Sequence, residues 1–242
     1  METPAMLTMI VLLLLPGFYE EPWTDLTGTE GFAAWRSSGQ WYRTHEVGLK
    51  PGNSKLLEGK NTGGPILVNS LTGKTANLIS KTNYRDVEFS CEFIMGEKAN
   101  AGVKFIGHYE IQLFDSYGKK DSELTGSDCG GVYPRGEPLP RYHTIDRGTP
   151  PRVNVCKKPG EWQSLQIIFR APRFDAQGKK VEHARFIKVT MNGTVIQENV
   201  ELRFPTGSAW RQSKEVPEGP ILLQGDHGPV AFRDLKVRVW KE

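Results

Sequence analysis

Polar and apolar residues alternate along residues 102–114, and this period of two predicts a β-strand. His108, Glu110 and Gln112 share one parity and would lie together on the outward face of that strand. An imidazole, a carboxylate and an amide in successive outward positions are unusual for a merely solvated face, so we interpret the strand as the floor of a binding cleft. The residues of the other parity are apolar and are expected in the core: Val103, Phe105, Tyr109, Ile111 and Leu113.

Further short strands, separated by turns rich in glycine and proline, are predicted along the rest of the chain. No stretch shows a long helical period, and Asn192-Gly193 is a dipeptide typical of a hairpin turn. The pattern therefore predicts an all-β fold of two packed antiparallel sheets, with polar residues lining one concave side. The clearest strands cover residues 84–95, 162–170, 184–191, 194–198, 220–224 and 230–240.

Residues 115–160 show no clear period and are too long for an idle connection, which favours a functional loop. We expect this segment to form an ordered wall of the cleft, because it holds Tyr117, Tyr133, Tyr142 and His143. Three of its arginines are interpreted as solvated charges: Arg135, Arg141 and Arg147.

Composition agrees with one folded β-rich domain rather than a disordered chain. The 242 residues are 38% hydrophobic and include 26 glycines and 16 prolines. The net charge is only +3 and the charged residues are interleaved, so there is no basic stripe and no nucleic-acid partner is expected.

The apolar run at residues 6–16 is too short to span a bilayer, which takes about 20 residues. It resembles the centre of a secretory signal, although the first positive residue is Arg36 and a misplaced start is the alternative. We therefore expect a leader at residues 1–20, a single domain at residues 21–242, and a secreted or periplasmic protein without a membrane span.

Three cysteines leave the disulfide question open. Cys91 has the parity of the predicted core, whereas Cys129 and Cys156 lie in loop-rich sequence and would be able to pair if the chain is exported. No Cys-x-x-Cys pair is present, which argues against a structural zinc site.

Several short motifs follow one another along the chain: Trp23-Thr-Asp-Leu-Thr-Gly28 with Trp35, Asn100-Ala-Gly-Val-Lys-Phe105, Tyr109-Glu-Ile-Gln-Leu-Phe-Asp115, Gly130-Gly-Val-Tyr133, Gly160-Glu-Trp-Gln163, the Asn192-Gly193 hairpin, Gly219-Pro-Ile-Leu-Leu-Gln-Gly-Asp-His-Gly228 and Phe232-Arg-Asp-Leu235. Their order and spacing resemble the 3-keto-disaccharide hydrolase domain family over about residues 23–240. This resemblance implies a concanavalin A-like jelly-roll sandwich. It also implies cleavage of glycosides that carry a ketone at sugar carbon 3, by elimination and then hydration, in some members with a divalent metal and without an organic cofactor. The chain departs from the family at Gln163 and Asp234, where asparagine is more common, and in a longer insertion at residues 134–158.

Such a reaction needs a base for the proton on carbon 2, a group that stabilises the enolate oxygen, and an acid for the leaving oxygen. Glu110 or His108 is the candidate base, and His227 is the candidate acid. If a metal takes part, the candidate ligands are these same three residues. The candidate substrate-binding residues, of which the first two would also stabilise the enolate, are Lys104, Gln112, Asp115, Tyr133, Gln224 and Arg233.

Three other interpretations stay open at this point. In the first, both residues are structural: His108 ends a bend beside Gly107, and Glu110 forms a surface ion pair with Lys104 or Arg233. A non-catalytic carbohydrate-binding module has the same fold. An ordinary two-carboxylate glycosidase needs two acids about 5–10 Å apart, but Glu110 and Asp115 have opposite parity.

Overall fold

A computed structural model describes residues 21–28 and 31–242, which form a sandwich of two antiparallel β-sheets. The leader predicted for residues 1–20 lies outside the described residues. Helix within the described part is limited to a 3₁₀ turn at Asp121–Glu123 and one α-helical turn, α1, at Ala209–Gln212. Neither is long or apolar enough to cross a membrane. The strands, in chain order, are β1 (Thr24–Asp25), β2 (Tyr42–Lys50), β3 (Asn53–Thr62), β4 (Ile66–Val68), β5 (Leu78–Tyr84), β6 (Val87–Met95), β7 (Asn100–Phe105), β8 (Tyr109–Phe114), β9 (Gly136–Glu137), β10 (His143–Thr144), β11 (Gln163–Arg170), β12 (Arg173–Phe174), β13 (Lys180–Glu182), β14 (Ala184–Met191), β15 (Thr194–Leu202), β16 (Gly219–Leu223) and β17 (Val230–Val239).

The larger sheet has the strand order β15-β14-β11-β6-β17-β4-β2-β3, with β1 added beside β17. The smaller sheet has the order β5-β16-β7-β8. Two short ribbons, β9–β10 and β12–β13, lie outside these sheets. This architecture confirms the predicted all-β, concanavalin A-like jelly roll.

The core lies between the two sheets and is rich in aromatic side chains. Alternate residues of β6 point into it, as predicted, and Phe89 and Phe93 are completely buried. Phe105 of the smaller sheet stacks on Phe169 of the larger one, with ring centroids 5.1 Å apart. Burying a phenylalanine of this kind stabilises the fold by about 2 kcal/mol, so these contacts hold the smaller sheet firmly against the larger one.

The strand predicted at residues 102–114 is in fact a hairpin, and this corrects the sequence-based prediction. Ile106 and Gly107 have φ angles of 48° and 74°, and the His108 N–H donates to the Phe105 carbonyl at 3.0 Å. Positive φ at both central residues is the type I′ geometry of tight hairpins. The predicted inward and outward faces are nevertheless correct, because the two strands of the hairpin pair in register, with Phe105 opposite Tyr109.

The long segment after β8 is ordered and extends the smaller sheet. Val132 bridges to Ile111 of β8 on one side and to Thr149 on the other. The β9–β10 ribbon then rises from this extension. The prediction of an ordered wall rather than an idle loop is therefore confirmed for the residues that reach the cleft.

Cys91, Cys129 and Cys156 are all buried free thiols. The Cys129 Sγ lies 4.0 Å from the Met191 Sδ, and the Cys156 Sγ lies 3.7 Å from the Phe114 carbonyl oxygen. The disulfide that the sequence left open is not formed in this structure.

Candidate active site

A cavity of about 210 Å³ opens on the outward face of the smaller sheet. It is lined mainly by polar side chains from β7, β8, the end of β16 and the long loop. Six of the nine residues predicted from the sequence line it: Lys104, Glu110, Gln112, Tyr133, Gln224 and His227. The structure therefore brings most of the predicted site together.

His108 does not line this cavity, because it belongs to the hairpin turn rather than to the floor strand. Its Nδ1 atom lies 2.7 Å from the Ile106 carbonyl oxygen, and its ring is buried beside Tyr109. Its own carbonyl accepts a hydrogen bond from the Thr206 hydroxyl at 3.0 Å. His108 is thus a turn residue that anchors the neighbouring loop, which matches the structural alternative.

Asp115 and Arg233 also lie away from the cavity. Asp115 follows the end of β8, where its carboxylate accepts the Lys98 N–H at 2.9 Å and so closes a turn. Arg233 lies on β17 of the other sheet, where it pairs with Glu92 at 2.5 Å and stacks over Trp162 at 4.1 Å. The two assignments as substrate-binding residues find no support in this geometry.

Lys104 and Glu110 face each other across the β7–β8 hairpin and form the charged centre of the cavity. They are partners in register, and the Lys104 Nζ lies 3.1 Å from the Glu110 Oε2. The Glu110 side chain is only 3% exposed, whereas that of Lys104 is 22% exposed. The carboxylate is therefore held in place by its strand and by a single counter-charge.

Burial raises the pKa of Glu110 above its ordinary value, and this effect outweighs the opposing pull of Lys104 and, more weakly, of His227. A carboxylate leaves water at a large cost in free energy, so its protonated form is favoured when it is buried. A raised pKa makes a carboxylate a stronger base once it is ionised. Glu110 therefore has the environment of a catalytic carboxylate.

Amide side chains border this centre and have unused acceptors. The Gln112 Nε2 donates to the Asn100 Oδ1 at 2.9 Å. The Oε1 atoms of Gln112 and Gln224 are buried and have no protein partner. Buried acceptors of this kind require donors, and a bound molecule that carries hydroxyl groups would supply them.

His227 stands at the rim of the cavity in the turn between β16 and β17. Its Nδ1 lies 2.8 Å from the Asp226 Oδ1 and 3.2 Å from the Gln224 Nε2. The side chain is 51% exposed. Because Nδ1 is engaged by a carboxylate, Nε2 is the nitrogen left to exchange a proton with a bound molecule.

A pair of tyrosines closes the opposite side. The Tyr142 hydroxyl donates to the Tyr133 hydroxyl at 3.3 Å. The pKa of Tyr142 is raised, chiefly by burial and then by this hydrogen bond. Tyr133 accepts this bond, so its own proton remains available to an oxygen atom in the cavity.

Four lining residues were not predicted as site residues: Asn100, Tyr142, Gly207 and Ser208. Asn100 has the same parity as the outward-facing Lys104 of β7, and Tyr142 was expected in the wall of the cleft. Both were therefore predictable from the sequence. Gly207 and Ser208 come from a distant loop. That loop is anchored where the Thr206 hydroxyl accepts the Glu110 N–H at 3.1 Å, a contact with no local sequence signal.

One family model matches nearly the whole chain. The model of the 3-keto-alpha-glucoside-1,2-lyase-like domain matches residues 22–238. The chain belongs to this family. This membership confirms the resemblance found in the sequence and makes the chain a glycoside-acting protein of β-sandwich fold.

Two solved structures similar to this family member come from Parabacteroides distasonis, and each is described as a candidate glycosyl hydrolase. One is 25% identical, with a TM-score of 0.56, and the match covers 74% of each chain. The other is 15% identical, with a TM-score of 0.56, and the match covers 90% of this chain and 94% of that one. No protein with a curated description matches the chain.

The three candidate metal ligands do not come together in this member of the family. Glu110 and His227 line the cavity, but His108 does not. Within the described residues, no group of three histidine, cysteine, aspartate or glutamate side chains is arranged to hold a metal ion. The Lys104 ammonium already lies beside Glu110, so the residues present do not fit a metal at this carboxylate.

Gly102→Ala is expected to displace the Glu110 carboxylate. A Cβ atom on Gly102 would overlap the Glu110 Oε1, because that oxygen lies directly over the glycine. We expect kcat on the substrate proposed below to fall at least tenfold, since a displacement of about 1 Å can cost 10²-fold. Steady-state kinetics tests this.

Gly48→Ala is the matched control for that variant, because a Cβ on Gly48 in β2 meets no other atom within 4 Å. It should leave kcat unchanged. Equal activity of the two variants would contradict the assigned position of the carboxylate.

Proposed function

We propose that this chain cleaves 3-keto-glycosides, with Glu110 as the base that removes the proton on carbon 2. The observation that carries the proposal is the buried Glu110–Lys104 pair on the floor of a polar cavity, in a chain whose family is described by a 3-keto-glucoside lyase activity. The ketone at carbon 3 acidifies the carbon 2 proton, so a single well-placed carboxylate is enough to start the reaction.

In the first step, Glu110 takes the carbon 2 proton, and the electron pair moves onto the ketone oxygen. The resulting enolate oxygen carries a developing negative charge. The Lys104 ammonium and the Tyr133 hydroxyl both line the cavity and are suited to stabilise this charge.

In the second step, the enolate collapses, carbon 1 and carbon 2 become doubly bonded, and the bond from carbon 1 to the leaving oxygen breaks. His227 gives its proton to that oxygen, and Asp226 stabilises the histidine through Nδ1. Water then enters the site, and its protons exchange with the proton held by Glu110. The water adds to carbon 1 and gives a proton to His227, while Glu110 delivers a solvent-derived proton to carbon 2. The net result is hydrolysis.

A non-catalytic carbohydrate-binding module is the second candidate, because the unpartnered Gln112 and Gln224 oxygens would also bind sugar hydroxyls. The buried ion pair favours the enzyme. A binding surface gains little from a desolvated carboxylate with a raised pKa, whereas proton transfer needs one.

An ordinary two-carboxylate glycosidase is less consistent with the site. Glu110 is the one carboxylate among the described lining residues, and Asp115 closes a turn elsewhere. Such enzymes need a second carboxyl group across the scissile bond.

The decisive assay incubates the protein with a chromogenic 3-keto-glucoside and with its unoxidised parent, each with and without EDTA. The proposal predicts release from the keto substrate alone and, because Lys104 accompanies Glu110, the same rate in EDTA. Release from both substrates would instead support a conventional glycosidase. Binding measured by calorimetry without release from either would support the carbohydrate-binding module.

A further inference from the structure

A second cavity, of about 250 Å³, adjoins the first. Tyr133 borders both cavities. Pro205 and Thr206 line the second cavity, and the next two residues of the chain, Gly207 and Ser208, line the first. The two cavities are therefore neighbours that share one tyrosine and are bordered by one loop.

Two of the three arginines that line the second cavity are already neutralised. The Arg135 Nε lies 2.7 Å from the Asp146 Oδ2. The Arg203 Nε lies 3.0 Å from the Glu201 Oε1. Arg135 and Arg203 are therefore each paired with a carboxylate.

Arg147 is the uncompensated charge of the second cavity. The described residues place no carboxylate within ion-pairing distance of it, and its Nη2 donates only to the Leu124 carbonyl, at 3.3 Å. Its backbone is held on both sides, since its carbonyl accepts the Gly126 N–H at 2.8 Å and the following Gly148 N–H donates to Asp146 at 2.9 Å. The backbone of Arg147 is thus fixed, and its guanidinium has one weak hydrogen bond to a carbonyl and further N–H donors that are left for an anion.

An aromatic surface lies in the same cavity. The Phe204 side chain is 50% exposed, and the Arg135 guanidinium lies 4.7 Å from its ring centroid. An exposed phenylalanine held in this way offers a flat apolar face to a ring. The cavity therefore combines an apolar wall with one unpaired cation.

We propose that the second cavity binds the leaving group of the substrate, and that Arg147 selects leaving groups that carry an acidic substituent. This inference rests on the proposed function. A guanidinium binds carboxylate and phosphate through paired N–H donors, so the substrate class is a 3-keto-glycoside whose aglycone is an aryl or alkyl acid.

The kinetic test compares 4-carboxyphenyl and 4-carbamoylphenyl 3-keto-glucosides, which have nearly the same shape and differ in charge. The wild-type protein is expected to prefer the carboxylate, and Arg147→Gln to lose about tenfold of this preference in kcat/KM. Intrinsic leaving-group differences cancel in the ratio between proteins. An unchanged preference in Arg147→Gln would overturn the proposal.

Arg141→Gln is the matched control, because Arg141 is an exposed arginine of the same loop that lines neither cavity. It should keep the wild-type preference. An equal loss in this variant would show that the effect is one of general charge and would overturn the role of Arg147.

Calorimetry with free 4-hydroxybenzoate, 4-hydroxybenzamide and inorganic phosphate separates this inference from the proposed function. The wild-type protein is expected to bind 4-hydroxybenzoate more tightly than 4-hydroxybenzamide, and Arg147→Gln is expected to lose this difference. Binding of phosphate would indicate that the leaving group carries a phosphate. If the chain turns over neither glucoside but retains this binding, the anion site stands and its assignment to a leaving group is overturned. Equal binding of acid and amide contradicts the anion site itself.

Discussion

Glu110→Gln is expected to lower kcat on a 3-keto-glucoside by about 10²- to 10⁴-fold, the contribution typical of general acid–base catalysis. The amide has the shape of the carboxylate but cannot accept the carbon 2 proton or return it later. Substrate affinity should change little, because the amides and tyrosines that line the cavity remain. Steady-state kinetics and calorimetry with the same substrate measure the two quantities.

Glu92→Gln provides the control for this variant. Glu92 forms a comparable ion pair with Arg233 at 2.5 Å, but on the larger sheet and away from the cavity. Its loss should leave kcat unchanged. If Glu110→Gln retained full turnover, Glu110 would not be the base, and the chain would be an enzyme that uses another base.

Lys104→Met should move the acidic limb of the kcat/KM profile to higher pH. Lys104 lowers the pKa of Glu110 against the effect of burial, so removal of the ammonium raises that pKa further. The base works only when ionised, and activity is therefore lost at a higher pH than in the wild-type protein. The value of kcat at the optimum should also fall, because one of the groups that stabilises the enolate is gone.

Lys180→Met distinguishes this effect from the general loss of an ion pair. Lys180 has the same 22% exposure as Lys104 and pairs with Glu215 at 2.5 Å, and neither of these two residues lines the cavity. The acidic limb of the kcat/KM profile of Lys180→Met should coincide with that of the wild-type protein. A limb that stayed in place in Lys104→Met would mean that the group titrating in the profile is not Glu110.

The cleft floor was predictable because a strand has a side-chain period of two. Glu110, Gln112 and Lys104 share the outward face whether residues 102–114 form one strand or a hairpin, since the partners in register keep the same face. The turn itself was missed because Ile106 adopts a positive φ of 48°, which a β-branched residue rarely does. His108 was therefore placed in the floor, although its backbone ends a turn.

Residues that reach the cavity through long-range pairing were harder to predict. Gly207 and Ser208 are brought in by the bond between Thr206 and Glu110, which joins positions far apart in the chain. Arg233 was predicted to bind substrate and to be a possible partner of Glu110, but β17 belongs to the larger sheet. Alternation gives the face of a strand, but it does not give the sheet to which the strand belongs.

The most direct test of the central claim follows the hydrogen on carbon 2 by NMR while the wild-type protein cleaves a 3-keto-glucoside in deuterium oxide. If Glu110 removes this proton, solvent deuterium should appear at carbon 2 of the sugar product, because water must enter the site before the proton is returned. The enzyme-free keto sugar, incubated for the same time, corrects for spontaneous exchange. Cleavage of the glycosidic bond with the original hydrogen retained at carbon 2 would contradict the account.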